Sequence, residues 1–180
     1  MSFNAPRFNL YLAFVLILPL CGCQFFKNEF GKKKAEKASA VRIHLESRVS
    51  VPGKSRTISL LRSAPVAVTI DEEPVLTEAN LLAAELVDTY GNYAVHLRFD
   101  ETGGWALEQS TAGNPGKHLV IFGQWGETNN QGRFLAAPII SRRIAGGELT
   151  FSPDASREET QQFVDGLNNL ARILHTPQKK

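Results

Sequence analysis

Few side chains in this 180-residue chain have a type and spacing suited to covalent or metal chemistry. The two cysteines come first, because a thiolate is both a nucleophile and a metal ligand. Cys21 and Cys23 stand one residue apart, directly after an apolar run from Leu10 to Leu20, and no cysteine follows them. The rest of the chain therefore has neither a disulfide staple nor a cysteine-ligated metal. His44, His96, His118 and His175 are scattered, with no HExxH pair and no carboxylate at metal-ligand spacing, so no metal and no cofactor are expected. His44 and His96 fall at alternating strand positions expected to face solvent. No GxSxG elbow, Walker loop or dinucleotide fingerprint occurs. Asp71-Glu72-Glu73, ahead of Pro74, reads as a solvated loop rather than an acid/base pair. The expectation is a protein that is not an enzyme, with a hydrolase using an unrecognised site as the remaining enzymatic reading. For recognition, the candidates are Trp105, Trp125 and Phe122, since aromatic side chains dominate binding hot spots. Trp105 lies on a Gly-weakened helix, where core packing is the favoured reading. Trp125 lies among Gly, Glu and Asn, where exposure is expected.

The elements that position these groups begin with the apolar run. It has eleven residues, too short to span a hydrocarbon core of about 30 Å as a helix but suited to the apolar part of a secretory signal. Arg7 supplies positive charge ahead of it, and Pro19 breaks the helix before a cleavage site. Residues 1–22 are thus expected to leave as an export signal. Residues 23–40 form a tether that carries Lys27, Lys32, Lys33, Lys34 and Lys37 against Glu29 and Glu36. Such a stretch suits a solvated spacer or the surface of an anionic membrane, where each lysine contributes about 1 kcal/mol. From Val41 onward, fourteen basic residues face sixteen acidic ones. This mildly acidic balance, with no Arg/Lys stripe, argues against a nucleic-acid partner.

The tether gives way to one folded domain over residues 41–175, followed by a short tail at 176–180. Val41, Ile43 and Leu45 alternate with polar residues as in a half-buried strand. Apolar stretches at 57–61 and 66–70 follow, and Thr77 can cap a short helix through Leu82. The stretches 84–89 and 93–99 flank Tyr90-Gly91-Asn92 as a hairpin, with Val95, Leu97 and Phe99 pointing inward. Asp100 caps a helix from about Glu101 to Thr111. Short strands are expected at 119–122, 134–140 and 148–151, with a polar turn over Gly126 to Gly132. Ser156 and Glu159 form a capping-box pattern opening a helix whose Phe163, Leu167, Leu170 and Leu174 make one apolar stripe. The order predicts an α+β fold: a mostly antiparallel sheet with two to three helices packed on one face.

Two resemblances sharpen these readings. Leu20-Cys21-Gly22-Cys23 resembles the lipobox of bacterial lipoproteins, which implies lipidation at Cys23, acylation such as palmitate, and attachment to a membrane. Cys21 fits less well, because Leu20 would then precede the cut where that family has a small residue. Gln24 rather than Asp after the cysteine implies, by resemblance to Gram-negative sorting, an outer-membrane position facing the periplasm. The second resemblance covers most of the domain, roughly Ile58 to Leu174. Pro74 to Asn80, Phe99-Asp100-Glu101-Thr102-Gly103, Gly116 to Ile121, Ala137-Pro138-Ile139-Ile140 with Ile144 and Gly146-Gly147, and Ser156 to Leu174 follow one another as in the head subdomain of the first periplasmic domain of SecD. These are fold-determining residues, so the resemblance implies a SecD-head-like fold more strongly than an activity. SecD's proton-coupled work belongs to its transmembrane helices, and none is expected after the signal here. The two resemblances together imply a non-enzymatic, lipid-anchored envelope protein that binds an exported polypeptide or an envelope protein complex. The alternative is a structural, self-assembling envelope lipoprotein without client binding.

Overall fold

The alternation from Val41 to Leu45 does build a strand. In a computed structural model of the chain, which describes residues 38–61, 65–126 and 131–176, strand β1 (Ala40–Leu45) lies inside a four-stranded antiparallel sheet. Its neighbours are β4 (Leu76–Thr77) on one side and β7 (Leu119–Trp125) on the other, with β8 (Gln131–Ala136) beyond β7. Val41, Ile43 and Leu45 face the main core. The segment expected to be an export signal, Cys23 and the lysine-rich part of the expected tether lie outside the described residues.

His44 was expected to face solvent and instead is 2% exposed. The cause is a second layer. Strands β2 (Ser55–Leu60) and β3 (Val66–Asp71) form an antiparallel hairpin. Its Ile58, Leu60 and Ile70 cluster with Val120 of β7, and Val68, Phe134 and Ala137 pack around them. The four-stranded sheet is therefore covered on both faces, which explains the unbroken apolar run Leu119-Val120-Ile121 in β7. The Nδ1 of His44 finds a partner in the carbonyl oxygen of Asp71, 2.9 Å away.

Beyond β4 the chain makes a single 3-10 turn, Glu78–Asn80, rather than a helix reaching Leu82. Thr77 does cap it, accepting from the Ala79 N–H, while the Asn80 side chain accepts from the Thr77 N–H. The turn stops because Leu81 is fully buried and already pairs with Phe99, so sheet pairing overrides local preference. Strands β5 (Leu81–Thr89), β6 (Asn92–Phe99) and β9 (Glu148–Phe151) make a three-stranded antiparallel sheet, order β5-β6-β9.

Helix α1 (Glu101–Ala112) follows β6, capped by Asp100, whose carboxylate accepts from the Gly103 N–H at 2.7 Å. Helix α2 (Arg157–His175) begins with the expected Ser156/Glu159 capping box. Its Phe163, Val164 and Leu167 join the core shared by both larger sheets, while the stripe runs out at Leu174, which is 49% exposed. The architecture is the expected α+β class, with antiparallel pairing in three sheets and two helices among the described residues.

Candidate functional site

Helix α1 is unusually poor in helix-forming residues near its start, and the pair Gly103-Gly104 explains its position rather than its stability. A Cβ on Gly104 would lie 3.2 Å from the Cα of Gly147, so two glycine backbones meet directly. Gly147 also has φ of +70°, which a side chain would strain. This contact lays the segment from Pro138 to Gly147 along α1. Glu108, one turn beyond Gly104, binds Arg143 (3.1 Å), and the Thr111 hydroxyl accepts from the Ile144 N–H at 2.9 Å.

Trp105 follows Gly104 on the outward side of the helix and is 67% exposed. Next to the same segment is an open cavity of about 500 Å³, lined by His96, Arg142, Arg143, Ile144, Ala145, Glu148 and Thr150. His96 and Thr150 face each other across β6 and β9, with Nδ1 and the hydroxyl 2.9 Å apart. The Nε2 of His96 lies 3.9 Å from Glu148. Arg143 is held by Glu108, whereas Arg142 makes no ion pair among the described residues.

The two tryptophans exchange the roles expected of them. Trp125 is 1% exposed, packed edge-on against Phe163 with ring centroids 5.9 Å apart. The Arg133 guanidinium, tied to Glu159, lies 4.9 Å from its ring centroid. Residue composition around position 125 suggested a loop, but β7 continues through it. Leu119, Ile121, Gly123 and Trp125 keep a two-residue period and all are buried. That period was the available signal, and Gly123 obscured it. A Cβ there would lie 2.5 Å from a Leu135 methyl, so the glycine is an inward position left empty for its neighbours. Phe122, on the opposite face, is half-buried against Phe134 at 5.2 Å. Neither Trp125 nor Phe122 joins the Trp105 surface. Cys23 lies outside the described residues.

The histidines remain dispersed. His118 and Glu46 are hydrogen-bonded through Nδ1 and Oε2 at 2.6 Å, and the His118 N–H donates to the same oxygen. Partial burial pushes the Glu46 carboxyl upward, but the hydrogen bonds from His118 outweigh it and hold the group below its ordinary range. This pair fastens β1 to the start of β7. His175 meets the Leu81 carbonyl at 2.9 Å. No group of three metal-ligating side chains forms among the described residues. Arg142, Arg143 and Glu108 were not singled out in the sequence. Two adjacent arginines ahead of Gly146-Gly147 were the signal, but only the fold shows which helix they meet.

Residues 54–169 match the family model for the SecDF P1 head subdomain. The protein translocase subunit SecDF of Thermus thermophilus is 34% identical over 92 residues, which is 51% of this chain and 12% of that protein. Two solved structures share the fold. One, of SecDF described as a membrane component that enhances protein export, gives a TM-score of 0.51 at 19% identity and covers 84% of this chain and 72% of that one. The other, SecDF in a super-membrane-facing form, gives 0.52 at 21% identity and covers 81% and 21% respectively. No helix among the described residues is long and apolar enough to cross a membrane. By the extent of the family match, the chain belongs to the SecDF P1 head subdomain family.

Proposed function

We propose that this chain is a lipid-anchored, non-enzymatic envelope protein whose P1 head domain binds segments of exported polypeptides at the surface formed by Trp105 and the segment from Pro138 to Gly147. The observation that carries the reading is the exposure of Trp105, a large aromatic side chain presented on a helix that is itself fixed by the Gly104–Gly147 contact. Family membership supports it, because a relative is described as enhancing protein export. The resemblance of Leu20-Cys21-Gly22-Cys23 to a lipobox supports the anchor and, with it, a domain outside the cytoplasm. Cargo contact then needs only passive binding, with no bond made or broken.

Photocrosslinking in cells tests this. A photoreactive residue at position 105 is expected to label a broad set of exported polypeptides, whereas one at Val49, 65% exposed in the segment ahead of β2, labels few. Equal labelling from both positions would sink the reading.

A further inference from the structure

The β5 and β8 edges are closed by side chains or loop backbone, and the β9 edge is open. The β5 edge is plugged by α2. The Asn168 carboxamide accepts from the Ala84 N–H at 2.9 Å and donates to the Ala84 carbonyl at 2.8 Å, as a neighbouring strand would. His175 occupies the Leu81 carbonyl on the same edge. At β8, the Asp154 N–H takes the Leu135 carbonyl at 2.7 Å. Such covers prevent a sheet edge from recruiting another chain.

The β9 edge lacks this protection. The Phe99 N–H donates to the Gly147 carbonyl at 2.8 Å, so Phe99 and Gly147 are a hydrogen-bonded pair of the antiparallel ladder. Hydrogen-bonded and non-hydrogen-bonded pairs alternate. The pairs Leu97/Leu149 and Val95/Phe151 are therefore bonded, while Arg98/Glu148 and His96/Thr150 turn their backbone groups away from each other. The N–H and C=O groups of Glu148 and Thr150 consequently point out from the free edge, and neither residue has a further backbone partner among the described residues. The side chains of the same two residues line the cavity beside Arg142.

We infer that β9 accepts an extended polypeptide segment as a fourth strand of this sheet, with one side chain of the segment entering the adjacent cavity. Backbone hydrogen bonds supply sequence-tolerant affinity, and the cavity supplies selection. Arg143 is paired with Glu108, whereas the Arg142 guanidinium makes no ion pair among the described residues and favours a carboxylate on the incoming chain, seated clear of the Glu148 carboxylate. The inference rests on the polypeptide-binding reading above and specifies its mode.

The test uses the full purified chain and a fluorescent peptide, Val-Asp-Val-Thr-Val-Asp-Val, with two relatives: one carrying Lys for Asp, the other N-methylated at its three central consecutive amides, which blocks both edges of the extended chain. Thr150→Pro removes an outward N–H while leaving the β6 ladder bonds in place, a position where an edge strand tolerates proline. It is expected to weaken peptide binding about tenfold, the scale of lost backbone hydrogen bonds, while Thr150→Val does not. N-methylation of the peptide is expected to do the same with the unaltered protein, so the mode is tested even if Thr150→Pro fails to fold. The Asp peptide is expected to bind more tightly than the Lys peptide, and Arg142→Glu to reverse that order. Unchanged affinity of the N-methylated peptide overturns strand addition. If crosslinking from position 105 then persists, polypeptide binding stands by another mode; if the unaltered chain binds no peptide and labels no client, both readings fall.

Discussion

Trp125 and Trp105 show how a single residue's environment depends on what lies across from it. Trp125 fills the core against Phe163, so Trp125→Ala is expected to cost about 3–5 kcal/mol in urea unfolding. Trp105→Ala should stay within about 0.5 kcal/mol, because its ring is mostly in water. A similar cost for both would contradict the burial. His44 gives a pH dependence. Burial between the sheet and the β2–β3 hairpin lowers its pKa, with Arg56 and Arg42 adding in the same direction, while the Asp71 carbonyl and carboxylate oppose them. The folded state therefore binds this proton less readily than the unfolded chain. Its contribution is fully present above pH 6.5 and declines as pH falls below that value toward the lowered folded pKa. His44→Phe is expected to flatten the stability curve in that window; parallel curves for the two proteins would show that His44 is not the group responsible.

At the scale of elements, α2 does three jobs through residues of different kinds. Its apolar stripe and its capping box were readable, since both follow from spacing along one helix. Its role as an edge cover was not, because Asn168 and Ala84 are far apart in sequence and only tertiary contact pairs them. Asn168→Ala should expose two buried backbone groups and cost about 2 kcal/mol by chemical denaturation, more than an ordinary surface change. The helix also passes very close to the start of the domain. A Cβ on Gly166 would fall 2.1 Å from the Ser39 hydroxyl oxygen and 2.8 Å from its backbone nitrogen. Gly166→Ala is expected to destabilise by about 1–3 kcal/mol, and adding Ser39→Ala should restore only part, because the backbone clash remains. At the helix start, Glu159 is held at about 2 by the Arg133 guanidinium and the Ser156 N–H. Its contribution is complete above pH 4.5 and is lost as pH falls toward about 2. Arg133→Gln should raise the Glu159 pKa, which carboxylate NMR titration can follow.

For the whole molecule, the proposed reading assigns attachment to a lipid anchor and contact to the P1 head domain. Cys23→Ser is expected to release the protein from sedimented membranes into the soluble fraction; a processed protein that still sediments would place the anchor elsewhere. Solution mass separates client binding from the structural alternative. A client-binding chain is expected to remain monomeric when solubilised, whereas a stable oligomer that labels no client favours self-assembly. The SecD-head resemblance, seen from Ile58 to Leu174, agrees with a family match over residues 54–169. It was legible because turn glycines, Pro138 and alternating aliphatics are local constraints on backbone shape. The site was not legible in the same way, because a binding surface is defined by what remains uncovered after packing.

By itself, the sequence determined the strand and helix periods, both helix caps and the α+β class, since each depends on residues within a few positions of one another. Tertiary structure decided which of the other faces are wet. The β2–β3 hairpin folds over the sheet and buries His44. Continuation of β7 carries Trp125 into the core, and the meeting of Gly104 with Gly147 sets the segment that flanks Trp105 and the open β9 edge. Exposure is a property of the assembled layers, because water is excluded by neighbours that sequence distance does not reveal.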